Sequence, residues 1–146
     1  MFKVVIDQIE PDKEEEIVIR CHEITDEVLA LVGKLKKSES ILLGSRDGET
    51  FRVPLRDVYY IESVDNKCYI CAQKNVYESR QKLYEFEELT VGTKLFRCSK
   101  AMILNIGKIR SVAASVNGRF EAKLINGETV IISRQYVPDL KKRLGM

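Results

Sequence analysis

Ile109-Arg-Ser-Val-Ala-Ala-Ser-Val-Asn117-Gly118-Arg-Phe-Glu-Ala-Lys-Leu-Ile-Asn126-Gly127-Glu-Thr-Val-Ile-Ile-Ser133 places two Asn-Gly pairs between short apolar runs. A two-residue type I′ turn needs positive φ at both central positions, which Asn and Gly adopt at little steric cost. The stretch therefore predicts three consecutive antiparallel strands: Ile109–Val116, Arg119–Ile125 and Glu128–Ser133.

The same grammar extends upstream. Ile41–Ser45 and Glu49–Val53 flank Asp47-Gly48, another hairpin signal. Pro54–Asp57 turns the chain into Val58–Ser63. Asp65-Asn66 separates that run from Lys67–Gln73, and Lys74-Asn75 separates the latter from Val76–Arg80. Leu83, Phe86 and Leu89 mark a short helix over Gln81–Leu89, closed by a turn at Gly92. Phe96–Asn105 then reads as extended chain, and Arg134–Leu144 as a short basic terminal helix. The body is predicted as an antiparallel meander carrying about one helix, mostly β in an α+β class. It has none of the strand-helix-strand alternation of a parallel fold.

Before Ile41 the pattern differs. Phe2–Ile9 and Ile17–Cys21 read as strands around a turn at Pro11 and the acidic run Glu14–Glu16. Ile24, Val28, Leu31, Val32 and Leu35 then fall at helical spacing, with Thr25 or Asp26 as N-cap. Lys34, Lys36 and Lys37 occupy the last turn, where cations suit the helix dipole. This predicts a β-β-α unit over residues 1–40, ending at Ser38–Ser40, and a second domain over residues 41–146.

The formal charge of +2 conceals an asymmetry. Residues 1–40 hold six basic and ten acidic side chains, and residues 41–146 hold 18 and 12. From Lys94 onward eleven basic residues face only Glu121, Glu128 and Asp139. Such a gradient suits a chain that meets a polyanion at one end. No apolar run is long enough to span a bilayer or to serve as a secretory core, so the reading is cytoplasmic, with no membrane partner.

Little supports catalysis. His22 stands alone between a strand and a helix start, and Glu85, Glu87 and Glu88 crowd one face of a short helix. No Gly-rich phosphate loop follows a strand. Cys68-Tyr-Ile-Cys71 spells C-x-x-C, but in extended chain residues three apart face opposite ways. No second ligand pair completes a zinc site. Reduced cytosolic thiols, no cofactor and no metal are the expectation. The basic residues Lys94, Arg97, Lys100, Lys108, Arg110, Arg134 and Lys141–Arg143 lie on separate strands, loops and the terminal helix. Grouped at one end of a β scaffold, they would displace counterions from phosphate, and a subset would read base edges. No aromatic-glycine signature of a single-stranded RNA platform is present.

Taken in order, Asp57-Val-Tyr-Tyr-Ile-Glu62, Tyr77-Glu-Ser-Arg80 with Leu83, Phe96-Arg-Cys-Ser-Lys100, Ile103-Leu-Asn105, Ile109, Asn126-Gly127 and Ile132-Ser-Arg-Gln-Tyr-Val137 resemble the LytTR family of DNA-binding domains. The resemblance runs from about Ile41 to Leu144. It implies an elongated stack of small antiparallel sheets that inserts loops into successive major grooves of promoter DNA, commonly at imperfect direct repeats. Many members carry a receiver domain. This chain resembles stand-alone members with a short N-terminal extension, so neither a receiver in cis nor phosphorylation by a histidine kinase is implied.

Carried over residue by residue, the resemblance implies DNA contacts in three loops. Ser99-Lys100 occupies a position where the family often has His-Arg or His-Asn. Lys100 keeps a donor for guanine or phosphate, and Ser99 replaces the common histidine. Ser133-Arg134-Gln135-Tyr136 stands where Ser-Arg-Arg-Tyr is frequent, so the base reader there is Arg134 or Gln135. In the third loop Cys68 is a poor reader and Lys67 suits phosphate. Arg97 and Ser133 complete the candidate contacts, and Asn105 reads as a turn-forming structural residue. A second, different reading is a β-rich protein-interaction module that uses residues 1–40. The apolar stripe Ile24-Val28-Leu31-Leu35 would there dock on the body or form a homodimer.

Overall fold

The computed structural model describes residues 2–36 and 40–146. Lys37 and the expected boundary at 38–40, apart from Ser40, fall outside the described residues. The chain divides into two compact units, Met1–Ser38 and Glu39–Met146.

In the first unit the helix forms and the strands do not. Helix α1 spans Asp26–Lys36. Thr25 caps it, its Oγ1 accepting from the Val28 N–H at 3.3 Å. The strands expected at Phe2–Ile9 and Ile17–Cys21 are absent, and no regular element precedes α1 among the described residues. Val4, Ile6 and Ile17 stand 84%, 88% and 74% exposed, so these runs bury no apolar face of the kind a strand pair needs. A lone hairpin is marginal in water without such a surface.

The second unit is mostly β, built of small antiparallel sheets with a few short helices. Its strands are β1 (Ile41–Arg46), β2 (Glu49–Pro54), β3 (Val58–Val64), β4 (Lys67–Ala72), β5 (Val76–Ser79), β6 (Leu95–Ser99), β7 (Met102–Asn105), β8 (Ile109–Ala114), β9 (Phe120–Leu124) and β10 (Thr129–Ile132). Helix α2 spans Leu83–Leu89 and α3 spans Val137–Leu144. A seven-stranded sheet runs β2-β1-β5-β4-β3-β7-β6, and β10-β9-β8 form a three-stranded sheet. The meander is thus broken where β1 joins β5, through Ser45 opposite Glu78. A Cβ added at Gly44 would lie 2.6 Å from the Tyr77 Cβ, so glycine allows this approach.

Among the described residues three turns have both central residues at positive φ, as type I′ geometry requires: Asp47-Gly48, Asp65-Asn66 and Asn117-Gly118. Asn126-Gly127 differs from expectation, since only Gly127 has positive φ, at 91°. The Asn126 Oδ1 accepts from the Glu128 N–H at 3.0 Å, and Gly127 N–H donates to Leu124. This local side-chain bond yields a three-residue loop in place of the two-residue turn.

Alternation gives the central strands two buried faces. Val58, Ile61, Leu95 and Ile103 join Phe86 of α2 in one core, whereas Tyr59, Phe96, Cys98 and Leu104 join Leu124, Ile132 and Leu140 in another. The large sheet is therefore covered by α2 on one face and by the small sheet with α3 on the other. Asn105 ties the end of β7 to the start of β3, its neighbour in the large sheet. Its Oδ1 accepts from Gly107 N–H at 2.9 Å, and its Nδ2 donates to the Val58 carbonyl at 2.7 Å. At 3% exposure it is structural.

Candidate nucleic-acid interface

The stretch expected as continuous chain from Phe96 to Asn105 folds back on itself at Lys100-Ala101, with Ser99 paired to Met102. This turn lies beside the β3–β4 turn, because Ser63 N–H donates to the Ala101 carbonyl at 2.8 Å. Val64 in turn pairs with Lys67. On the other side, Ser133 N–H donates to the Cys98 carbonyl at 2.9 Å as the chain leaves β10. Two backbone bonds thus gather three candidate loops at one end of the large sheet: Lys67, Ser99-Lys100 and Ser133-Arg134-Gln135.

Within this group Lys67, Lys100, Arg134 and Gln135 are exposed, and Ser99 and Ser133 are half-buried. Arg134 opens a single 3-10 turn, Arg134–Tyr136, that leads into α3. Its stem lies across Gly118, where an added Cβ would come within 2.7 Å of the Arg134 Cδ. The β8–β9 turn therefore reaches this end as well, and brings exposed Arg119 with it. Arg119 was not among the expected contacts. The Asn117-Gly118 signal marked the turn, but the adjacency to Arg134 depends on packing between the sheet and the terminal segment.

Arg97 occupies a different position. Its Nε donates to the Ser99 carbonyl at 2.7 Å, its Nη2 to the Lys100 carbonyl, and its Nη1 lies 3.5 Å from the Glu87 carboxylate of α2. Cys68 is buried in β4 and presents nothing to solvent.

The remaining basic residues do not all share this end. Lys94 precedes β6, and its carbonyl accepts from Ile106 N–H. Lys108 sits 5.0 Å over the Tyr59 ring, and Arg143 donates to the Thr93 carbonyl at 3.2 Å. These lie at the start of β6, a strand of five residues and hence about 17 Å from its Lys100 end.

Between the gathered loops a cleft of about 410 Å3 is lined by Tyr60, Glu62, Ser99, Arg119, Glu128 and Ser133 among others. The Tyr60 hydroxyl donates to Glu128 Oε2 at 2.8 Å. Burial, and then the neighbouring carboxylate, holds the Tyr60 phenol protonated well above its ordinary range. The cleft wall thus presents a neutral phenol hydrogen-bonded to Glu128. Among the described residues no group of three or more His, Cys, Asp or Glu side chains is placed to hold a metal ion. No helix among them is long and apolar enough to cross a membrane.

Comparison with known proteins bears on the fold and the family. The family described as LytTr DNA-binding domain matches residues 48–145. A sensory transduction protein LytT of Enterococcus faecalis is 28% identical over 110 residues, 75% of this chain and 45% of that protein. The transcriptional regulatory protein BtsR of Escherichia coli K12 is 28% identical over 101 residues, 66% of this chain and 39% of that one. The chain thus covers less than half the length of these curated relatives. A solved LytTr DNA-binding domain from Bacillus cereus superposes with a TM-score of 0.68 at 28% identity, covering 73% of this chain and 98% of that structure. With its fold, its ordered motifs and most of its length in agreement, the chain belongs to the LytTr DNA-binding domain family.

Proposed function

We propose that this chain is a sequence-specific, double-stranded DNA-binding transcriptional regulator of the bacterial cytoplasm, and that residues 41–146 bind promoter repeats. The observation that carries the reading is the convergence of three polar, basic loops at one end of a doubly buried sheet. Such a rigid edge suits insertion into a major groove about 12 Å wide. Lys100 and either Arg134 or Gln135 are the proposed base readers, Lys67 meets phosphate, and Ser99 and Ser133 supply flanking hydroxyls.

The test begins with selection of bound duplexes from random DNA, followed by fluorescence anisotropy at physiological salt. A preferred sequence should bind at least a thousandfold more tightly than scrambled duplex, on the order of ordinary regulators. Equal binding to both duplexes overturns the reading. If Arg134 holds a base edge, Arg134→Ala costs about 1–3 kcal/mol on the preferred duplex and little on the scrambled one. A uniform loss on both, with a shallower salt dependence, would place Arg134 on phosphate and give the base to Gln135.

A second role is supported by the exposed apolar side chains of residues 1–40, with Ile6 88% and Ile24 76% exposed. They suit contact with a second copy of the chain.

A further inference from the structure

We infer that Arg97 is a positioning residue for base readout: its guanidinium braces the turn that presents Lys100, and does not itself touch DNA. The inference rests on the duplex-reading role proposed above and adds to it.

Its basis is the placement of β6. Alternation sends Leu95 into the core under α2 and Phe96 into the opposite core, so Arg97 returns to the α2 side. There it meets Glu87, and its side chain is only 19% exposed. All three guanidinium nitrogens have a partner: Nε the Ser99 carbonyl, Nη2 the Lys100 carbonyl, and Nη1 the Glu87 carboxylate. Lys100 and Ala101 lie outside the β6–β7 ladder. Their carbonyls are therefore satisfied from elsewhere, Lys100 by Arg97 and Ala101 by Ser63 N–H at 2.8 Å. The turn, Ser99-Lys100-Ala101-Met102, carries no Gly, Pro or Asn, and its local side-chain bond is a long one, from Ala101 N–H to Ser99 Oγ at 3.3 Å. Arginine's planar fork spans two successive carbonyls, whereas a lysine ammonium is a single point charge on a flexible stem. A phosphate would have to compete with two hydrogen bonds and an ion pair already made.

The test compares wild type, Arg97→Lys, Arg97→Gln, Glu87→Gln, Lys100→Ala and the Arg97→Lys/Lys100→Ala double variant. Anisotropy is measured on the selected and scrambled duplexes over a salt series. For a brace, Arg97→Lys lowers the ratio of preferred to scrambled affinity about tenfold while the salt slope holds, since a loosened turn misplaces its reader. Glu87→Gln lowers the ratio in the same direction without altering any cation. The double variant loses little beyond Lys100→Ala alone, because both changes act through one turn.

Arg97 as a direct phosphate contact predicts otherwise. Arg97→Lys would then leave the ratio unchanged, and Arg97→Gln would reduce the salt slope by about one on both duplexes. That result overturns the inference, and so does full additivity with Lys100→Ala. A merely destabilising effect would lower both affinities alike and follow the folded fraction measured by circular dichroism. Should Arg97→Gln not fold, Arg97→Lys and Glu87→Gln still decide between brace and contact. A wild type without sequence preference removes the underlying reading, which separates that failure from the failure of the brace.

Discussion

At the scale of single residues, burial determines the chemistry of the cysteines. All four are free thiols, with Cys21 exposed, Cys68 and Cys98 buried and Cys71 between them. Burial pushes the Cys98 thiol up to about 12 and the Cys71 thiol up to about 11, from an ordinary value of 9.0. At pH 8 a thiol reagent should therefore modify Cys21 quickly and Cys98 only as fast as the chain unfolds, and Cys21→Ser should abolish the fast phase. Native-rate labelling of Cys98 would contradict its burial. The sign of the pH effect follows from the same shifts. Above pH 9 the unfolded chain releases protons that the folded chain retains. This contribution to stability is complete below pH 9 and is lost as pH rises toward 12. Chemical denaturation at pH 8 and pH 10.5 should show the loss. The residue type of Asn105 suggested a turn, and its cap on Gly107 agrees, but its bond to Val58 reaches the neighbouring strand 47 residues earlier and leaves no local mark.

Elements follow local chemistry where local chemistry suffices. Asp47-Gly48 and Asn117-Gly118 were legible because both positions tolerate positive φ. The Lys100 turn was not, because beyond the Ser99 hydroxyl, which accepts from Ala101 N–H, its bend is held by the Arg97 side chain and Ser63, neither of them within the turn. Asn126-Gly127 was legible as a turn and misread in type, since the Asn126 side chain competes for the backbone. The early runs Phe2–Ile9 and Ile17–Cys21 have strand composition without a sheet to join. The β1–β5 junction illustrates what pattern reading misses, a contact set by one glycine facing one tyrosine. Gly44→Ala should crowd Tyr77 and destabilise the unit by about 1–3 kcal/mol, an overpacking effect measurable by urea denaturation. The preference for the selected duplex should persist, because β1 is separated from β6 by four strands of the sheet. Loss of that preference at full folded fraction would mean the hairpin supports the interface.

For the whole molecule, the two cores define what folds together. Among the described residues both clusters are drawn from Leu42 to Leu140, within the second unit. The charge gradient points the same way, since the acidic excess lies in residues 1–40 and the basic excess follows Lys94. The family match over residues 48–145 falls within the second unit. A chain truncated to residues 41–146 should therefore keep one cooperative unfolding transition. Its midpoint should stay within about 5 °C of the full chain, the shift that ~1 kcal/mol makes in a domain of this size. Calorimetry gives the midpoint, and anisotropy on the selected duplex gives the retained preference. A broad, non-cooperative transition would show instead that residues 1–40 complete the core. Light scattering on both forms then isolates the role of the exposed apolar side chains. A full chain of twice the monomer mass beside a monomeric truncation would assign them to self-association, so that two reading edges are joined through residues 1–40. Equal masses would remove that role and leave the second unit to bind each repeat independently.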